Sequence, residues 1–345
     1  MTQGGAVVTI GDVARLAGVS RSTVSYALSG KRAISDQARG RVEAAVRELG
    51  YTPNAGARAL ATSQTMVIGL LARFLEDEFA PAMLQYMLGV SNTARELGYD
   101  LLLSTEEDGT RALRRMSDSR MVDGVVLLNV ADEDDRLPVL RAAPQPGALV
   151  GLPGDCTGVD VFDLDFEEAG RLMVDHLVRL GHRELILVSQ PEHVVERGGA
   201  YVWRLQNAAR EAARARGVVL HAAFGSSRQP EIGRDLTGLL DTYPDATGLI
   251  LNNEAAAAAL PSVLHERGLS APRDLSVIGR YSEEFASTFS LHYSAVESAP
   301  DRLGRMAVRQ LVRRIEGEIS PDDPYVVRFV SPELVDRGST GTPPA

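Results

Sequence analysis

Thr9-Ile10-Gly11-Asp12-Val13-Ala14-Arg15-Leu16-Ala17-Gly18-Val19-Ser20-Arg21-Ser22-Thr23-Val24-Ser25 is the stretch on which the reading of this chain turns. Ile10, Val13, Ala14 and Ala17 follow the i, i+3, i+4, i+7 spacing that gives one apolar face to a helix beginning after Thr9. Gly18 ends it, because glycine adopts without steric cost the left-handed conformation that closes a helix. Ser20 is a good N-cap for a second helix from Arg21 to Leu28, with Val24 and Leu28 facing inward. A third pattern starts at Ser35, places Ala38, Val42, Ala45, Val46 and Leu49 on one face, and stops at Gly50.

Two helices joined through Ala17-Gly18-Val19-Ser20 have helix-turn-helix geometry, in which small residues at the turn let the helices approach at a wide angle. The start of the second helix can then enter a DNA major groove. Arg21, Ser22, Ser25 and Tyr26 lie off its apolar stripe. Arg21 can donate two bonds to a guanine edge, and Ser22 can bond either kind of base. Thr23 and Ser25 are placed for phosphates, which fix register without specifying sequence. The same spacing also serves a plain three-helix bundle with a polar outer face.

Charge is unevenly spread. The 345 residues carry a net charge of −10, yet residues 1–65 hold eight basic against four acidic side chains, leaving 28 against 42 in the remainder. A basic head on an acidic body confines any phosphate contact to the head. The one cysteine, Cys156, excludes an internal disulfide framework and a cysteine zinc cage and suits a reducing cytoplasm. With no signal-peptide pattern at residues 1–6 and no apolar run of membrane-spanning length, a cytoplasmic chain with no membrane partner is expected.

The quoted stretch, with Ser35 to Val46 and Leu49-Gly50-Tyr51-Thr52-Pro53-Asn54, resembles the N-terminal signature of the LacI/GalR family of bacterial transcription regulators. The resemblance implies a repressor that binds a palindromic operator in double-stranded DNA as a homodimer under the control of a small-molecule effector. It gives base reading to Arg21, Ser22 and Tyr26 (here Tyr where Arg is common) and adds Thr9, Thr23 and Ser25 to the DNA contacts. Residues 53–65 would form a hinge. Its short Ala-rich helix, capped by Asn54, is too lightly apolar to be stable alone. The resemblance places that helix in the minor groove, with Asn54, Ala57 and Arg58 as contacts and Leu60 as the wedge that bends the duplex.

Beyond the hinge the texture becomes α/β. Continuous apolar runs at Met66–Leu71, Asp100–Leu103, Gly124–Leu128 and Ala148–Gly151 alternate with helical stretches. The alternation resumes with strands at Leu185–Val188, Leu249–Leu251 and Ser276–Gly279. Such runs indicate parallel sheets buried on both faces. The expected architecture is an all-α helix-turn-helix head (1–52), the hinge (53–65) and a body of two doubly wound parallel subdomains (66–340), with a flexible tail (341–345). The family resemblance makes the body periplasmic-binding-protein-like. It divides the body into approximately 66–164 with 295–325 and 165–294 with 326–340.

For the effector, the resemblance points to Phe79, Arg204, Asn253 and Glu254. Arg204 matches the family's effector-contacting arginine, and arginine suits carboxylate or phosphate groups; Asn253 could equally be a helix N-cap. The family's aromatic-Asp-Asp after Gly279 is here Arg280-Tyr281-Ser282, a departure from the short carboxylates that hold sugar hydroxyls. Phosphate-loop, dinucleotide, zinc-protease and nucleophile-elbow motifs are absent from the sequence. His176 and His182 are not spaced to share a metal on one helix face. Neither a cofactor, a metal nor catalysis is expected. The rival readings are a solute-binding protein, which would share the body, and an α/β enzyme with an accessory DNA-binding head.

Overall fold

The computed structural model describes residues 8–29, 34–51, 64–73 and 80–344, and these fall into two units divided between Thr65 and Met66. In the first, α1 (Ile10–Ala17), α2 (Arg21–Ser29) and α3 (Asp36–Leu49) enclose Val13, Ala14, Ala17, Val24, Val42, Ala45 and Tyr51. Gly18 and Gly50 close α1 and α3 in the left-handed region, at φ 64° and 57°. Ser20 accepts the Thr23 backbone N–H at 3.1 Å and Ser35 that of Ala38 at 3.3 Å, so both serve as N-caps. Leu28 departs from expectation. It is 40% exposed, and Ala27 packs beside Val24 instead. The buried stripe of α2 follows the i+3 neighbour rather than the i+4 one.

The second unit contains two six-stranded sheets. The first is built from β1 (Val67–Leu71), β2 (Asp100–Ser104), β3 (Gly124–Leu127), β4 (Gly147–Val150) and β5 (Asp160–Leu164). The second contains β6 (Glu184–Ser189), β7 (Val219–Phe224), β8 (Gly248–Leu251), β9 (Ser276–Tyr281) and β10 (Ser294–Glu297). β11 (Val327–Val330) then returns to the first sheet and β12 (Leu334–Val335) to the second. The orders are β11-β5-β4-β3-β1-β2 and β12-β10-β9-β8-β6-β7, all pairs parallel except β10 with β12. Both sheets are doubly wound, with β1 and β6 at the points where strand order reverses.

Both return crossings come later than the expected residues 294 and 325. Ser294 to Glu297 pair with β9, and Val327 to Val330 extend the first sheet beside β5. Buried Asp160 explains the second. Its carboxylate accepts the Val326 N–H at 2.9 Å and lies 2.5 Å from the Arg314 Nε. That arginine sits on helix Pro300–Ile315, whose apolar face packs on the first sheet. The ion pair therefore fastens the returning chain to β5 before it crosses back.

Candidate functional site

In the head, the N-terminal half of α2 presents Arg21, Ser22 and Tyr26 to solvent, with Thr23 and Ser25 half-buried behind them. The Arg21 guanidinium rests beside Gly11 of α1, where a Cβ would lie 2.9 Å from Nη2. The lack of a side chain at Gly11 thus leaves room for the arginine. Thr9 is committed to the start of α1, its backbone N–H and hydroxyl both donating to Asp12 Oδ2 at 2.9 and 2.7 Å. Thr23 shares a 2.9 Å hydroxyl contact with Ser20. Capping thus fixes the two helix starts and leaves arginine, serine and tyrosine on an outward face whose donors match base edges and phosphates.

In the second unit a cavity of about 150 Å³ opens at the carboxyl ends of the strands of both sheets. Its wall includes Leu128 and Asn129 after β3, Gly151 and Leu152 after β4, and Asp163 in β5 from the first half. Gln190 after β6, Glu254 after β8 and Arg280 to Ser282 on and after β9 come from the second. Gly151 is required here. It adopts φ 127°, and a Cβ would lie 3.0 Å from that of Val130. Asn129 takes a left-handed backbone at φ 51°, a conformation asparagine tolerates better than most residues.

The polar part of the cavity is a connected network. Arg280 donates from Nε to Asn252 Oδ1 at 2.8 Å and from Nη2 to Glu254 Oε1 at 3.1 Å. Glu254 Oε2 accepts the Gln190 amide at 2.5 Å. Asp163 accepts the Leu152 and Leu164 backbone N–H groups at 3.0 and 2.9 Å. Burial nevertheless pushes its carboxyl up to about 7, because too few donors replace the water it has lost. Burial likewise pushes the Tyr86 phenol up to about 12. The Arg280 guanidinium lies over the Phe166 ring, 5.4 Å from its centroid.

The two halves also meet directly. Arg204, on helix Ala200–Arg216, donates to the Leu152 carbonyl at 3.3 Å and faces Asp132 at 3.6 Å. The Asp132 N–H donates to the Gly198 carbonyl at 2.8 Å, and Gln85 donates to Glu284 at 3.3 Å.

Comparison with known proteins resolves what a head and a cleft of this kind belong to. The model of bacterial regulatory proteins, lacI family, matches residues 9–54, and the periplasmic binding protein-like domain matches residues 174–340. The chain is 31% identical over 321 residues to the HTH-type transcriptional regulator CelR of Thermobifida fusca, covering 90% of this chain and 92% of that protein. It belongs to the LacI family.

Like other members of the LacI family, it is a DNA-binding transcription regulator whose partners are operator DNA and a small-molecule effector; the family consists of regulators rather than enzymes. Two solved family structures extend the likeness along the whole chain. The CelR–cellobiose complex is 28% identical with a TM-score of 0.66, covering 96% of this chain and 99% of that one. The Lac repressor bound to ONPG in its repressed state is 25% identical with a TM-score of 0.79, covering 97% and 100%.

Within this LacI-family body, the residues expected at the effector separate. Glu254 lines the cavity, whereas Arg204 and Asn253 are not among its lining residues. Asn253 is N-cap to helix Glu254–Glu266, accepting the Ala256 N–H at 2.9 Å, while its amide nitrogen donates to the carbonyls of Ser189, Gly225 and Ser226. No amide group is left over for a ligand. The cavity arginine is Arg280, which, with Asp163, Tyr86 and Phe166, was not singled out as an effector contact from sequence. The departure from aromatic-Asp-Asp after Gly279 was the one signal available for it. Asn54, Ala57, Arg58, Leu60 and Phe79 lie outside the described residues. Among the described residues no helix is long and apolar enough to cross a membrane, and no acidic, histidine and cysteine group is arranged to hold a metal.

Proposed function

We propose that this chain is a cytoplasmic, homodimeric repressor without catalytic activity, which reads a palindromic operator through α2 and responds to a small molecule enclosed between the two halves of its body. The observation that carries the reading is the exposure of Arg21, Ser22 and Tyr26 together on the first half of α2. A dimer places two such helices in successive major grooves, which is why the operator is a palindrome. Thr23 and Ser25 contribute phosphate contacts, and Thr9, whose own donors are held by Asp12, supports the DNA-binding face by fixing the start of α1. The hinge residues Asn54, Ala57, Arg58 and Leu60 order in the minor groove when the two heads are held at the right spacing.

Dimerisation is assigned to the first half of the body. Helix Ala80–Glu96 leaves Leu84 and Leu88, one turn apart, 51% and 49% exposed beside edge strand β2. Glu254 is the expected contact that meets the effector. Arg204 acts on the cleft as a clasp between the halves, holding the Leu152 carbonyl and Asp132. A ligand that changes how the halves close changes the spacing of the heads.

Selection of binding sites from random duplexes, followed by fluorescence anisotropy, tests the reader. Arg21→Ala is expected to cost about 1–3 kcal/mol on the selected operator and to relax one base position symmetrically in each half-site. An unchanged selected sequence in that variant refutes the role given to Arg21.

A further inference from the structure

Among the described residues, the one cationic side chain in the cavity wall, Arg280, has donors to spare. A guanidinium has five N–H donors. Arg280 uses one on Asn252 and one on Glu254 and lies near the Tyr86 phenol, so among the described residues at least two remain without a protein partner. The charged acceptors of the wall already hold protein donors. Both oxygens of Glu254 hold protein donors, both oxygens of Asp163 hold backbone N–H groups, and the Ser282 hydroxyl oxygen accepts the Phe285 N–H. A polyhydroxylated ligand would meet carboxylates that are already engaged by the protein. It would also lack an open face on Phe166, whose ring meets Tyr201 at 5.3 Å and the Arg280 guanidinium at 5.4 Å.

The apolar part of the wall comes from Leu128, Val150, Val194 and Phe285, and the cavity of about 150 Å³ is small beside the roughly 300–1,000 Å³ usual for ligand sites. We propose that the cleft selects a compact monocarboxylate with an apolar remainder, held through Arg280, and that binding takes up a proton at Asp163. The inference rests on reading the cavity as the effector site. The charged and titratable groups that face Asp163 are Arg204 on helix Ala200–Arg216, Arg280 on β9 and Tyr86 on helix Ala80–Glu96. Arg280 itself is matched by Glu254. A second anion in this enclosed space is opposed by an ionised Asp163 and favoured by a protonated one, which in turn supplies an O–H donor. With the free carboxyl at about 7, restricting binding to the protonated form makes affinity rise about 10-fold from pH 8 to pH 6.

The experiment is calorimetric titration of the full-length protein with benzoate, phenylacetate, 3-methylbutanoate and 4-methyl-2-oxopentanoate. Benzyl alcohol, ribose and cellobiose serve as neutral comparators. Titrations at pH 6, 7 and 8 in two buffers of different ionisation enthalpy report proton uptake directly. At least one acid is expected to bind, more tightly at pH 6, with net uptake of a proton at pH 8. Arg280→Met is expected to weaken it about 10- to 100-fold, as loss of a charged hydrogen-bonding partner does. Because that variant leaves Glu254 uncompensated, R280M/E254Q is measured beside it. Asp163→Asn is expected to flatten the pH profile while binding persists. If all four acids are silent while a sugar or alcohol binds, the acid class is overturned and the effector cleft stands. The proton uptake is overturned if the D163N profile parallels that of the unmodified protein. Silence toward acids and neutral compounds alike, with operator affinity unmoved by any of them, overturns both the class and the effector reading.

Discussion

Asp163 makes the body of this regulator more stable in mild acid than in mild base, and Asp163→Asn should abolish that dependence. The carboxyl titrates near 7 in the folded chain, against about 3.9 in an unfolded one. A folded-state value above the unfolded one means the native protein holds this proton more tightly, so its stabilising effect is present in acid and is lost as pH rises through 7. With about 1.4 kcal/mol per pH unit, the loss between pH 5 and pH 8 amounts to about 2.5–3 kcal/mol. Trp203, the one tryptophan of the sequence, lies on helix Ala200–Arg216, so urea unfolding followed by its fluorescence reports on the body alone.

The replacement asparagine would set its NH2 group against a backbone N–H that the carboxylate accepted, a cost of about 1–3 kcal/mol that does not vary with pH. The quantity to compare is therefore the pH slope of the difference between the two proteins, not its offset. Parallel profiles between pH 5 and pH 8, within about 0.5 kcal/mol, would refute the claim that burial rather than hydrogen bonding governs this carboxyl.

Three further outcomes are expected. Gly170→Ala should destabilise the body by about 1–3 kcal/mol in the same urea assay, because its Cβ would fall on the Leu205 carbonyl oxygen of the neighbouring helix. Arg314→Met should cost about 3–5 kcal/mol by leaving Asp160 charged and buried without its partner; R314M/D160N should recover much of that loss. His182, whose Nε2 donates to the Gly341 carbonyl at 3.0 Å while Nδ1 accepts from Thr247 at 2.7 Å, is held neutral, with its pKa lowered by burial. Its contribution is therefore complete above about 6.5 and lost as pH falls. Replacement by Gln should reduce the loss of thermal stability on acidification from pH 7 to pH 5, compared in an Asp163→Asn background so that the opposing carboxyl is removed.

Local chemistry made much of this protein readable in advance. The periodicity of Ile10 to Ala17, the left-handed glycines at 18 and 50, and the serine caps at 20 and 35 concern neighbours within four residues, and those interactions are nearly independent of the rest of the chain. The apolar runs of β1, β3, β4, β6 and β8 were equally plain, since a strand covered on both faces has no polar alternation to blur it. β5 is less plain because Asp160 and Asp163 interrupt it. Asp160 is tolerable only through Arg314, 154 residues away, and Asp163 through the backbone amides of Leu152 and Leu164, whose approach depends on the fold at the strand end.

The cleft divides in the same way. Sequence could mark Glu254 and the unusual Arg280-Tyr281-Ser282, but Arg204 on a helix and Asn253 and Arg280 at strand ends are all polar residues that composition cannot rank. Folding ranked them by where their hydrogen bonds are spent. Asn253 is consumed by a helix start and three carbonyls, Arg204 by the opposite half of the body, and Arg280 alone retains donors in the cavity. Residue identities and short spacings are sufficient to determine the head, because its interactions are local. The chemistry of the cleft is a balance among groups brought together from many separate strand ends and helices of both halves, and only the tertiary structure sets that balance.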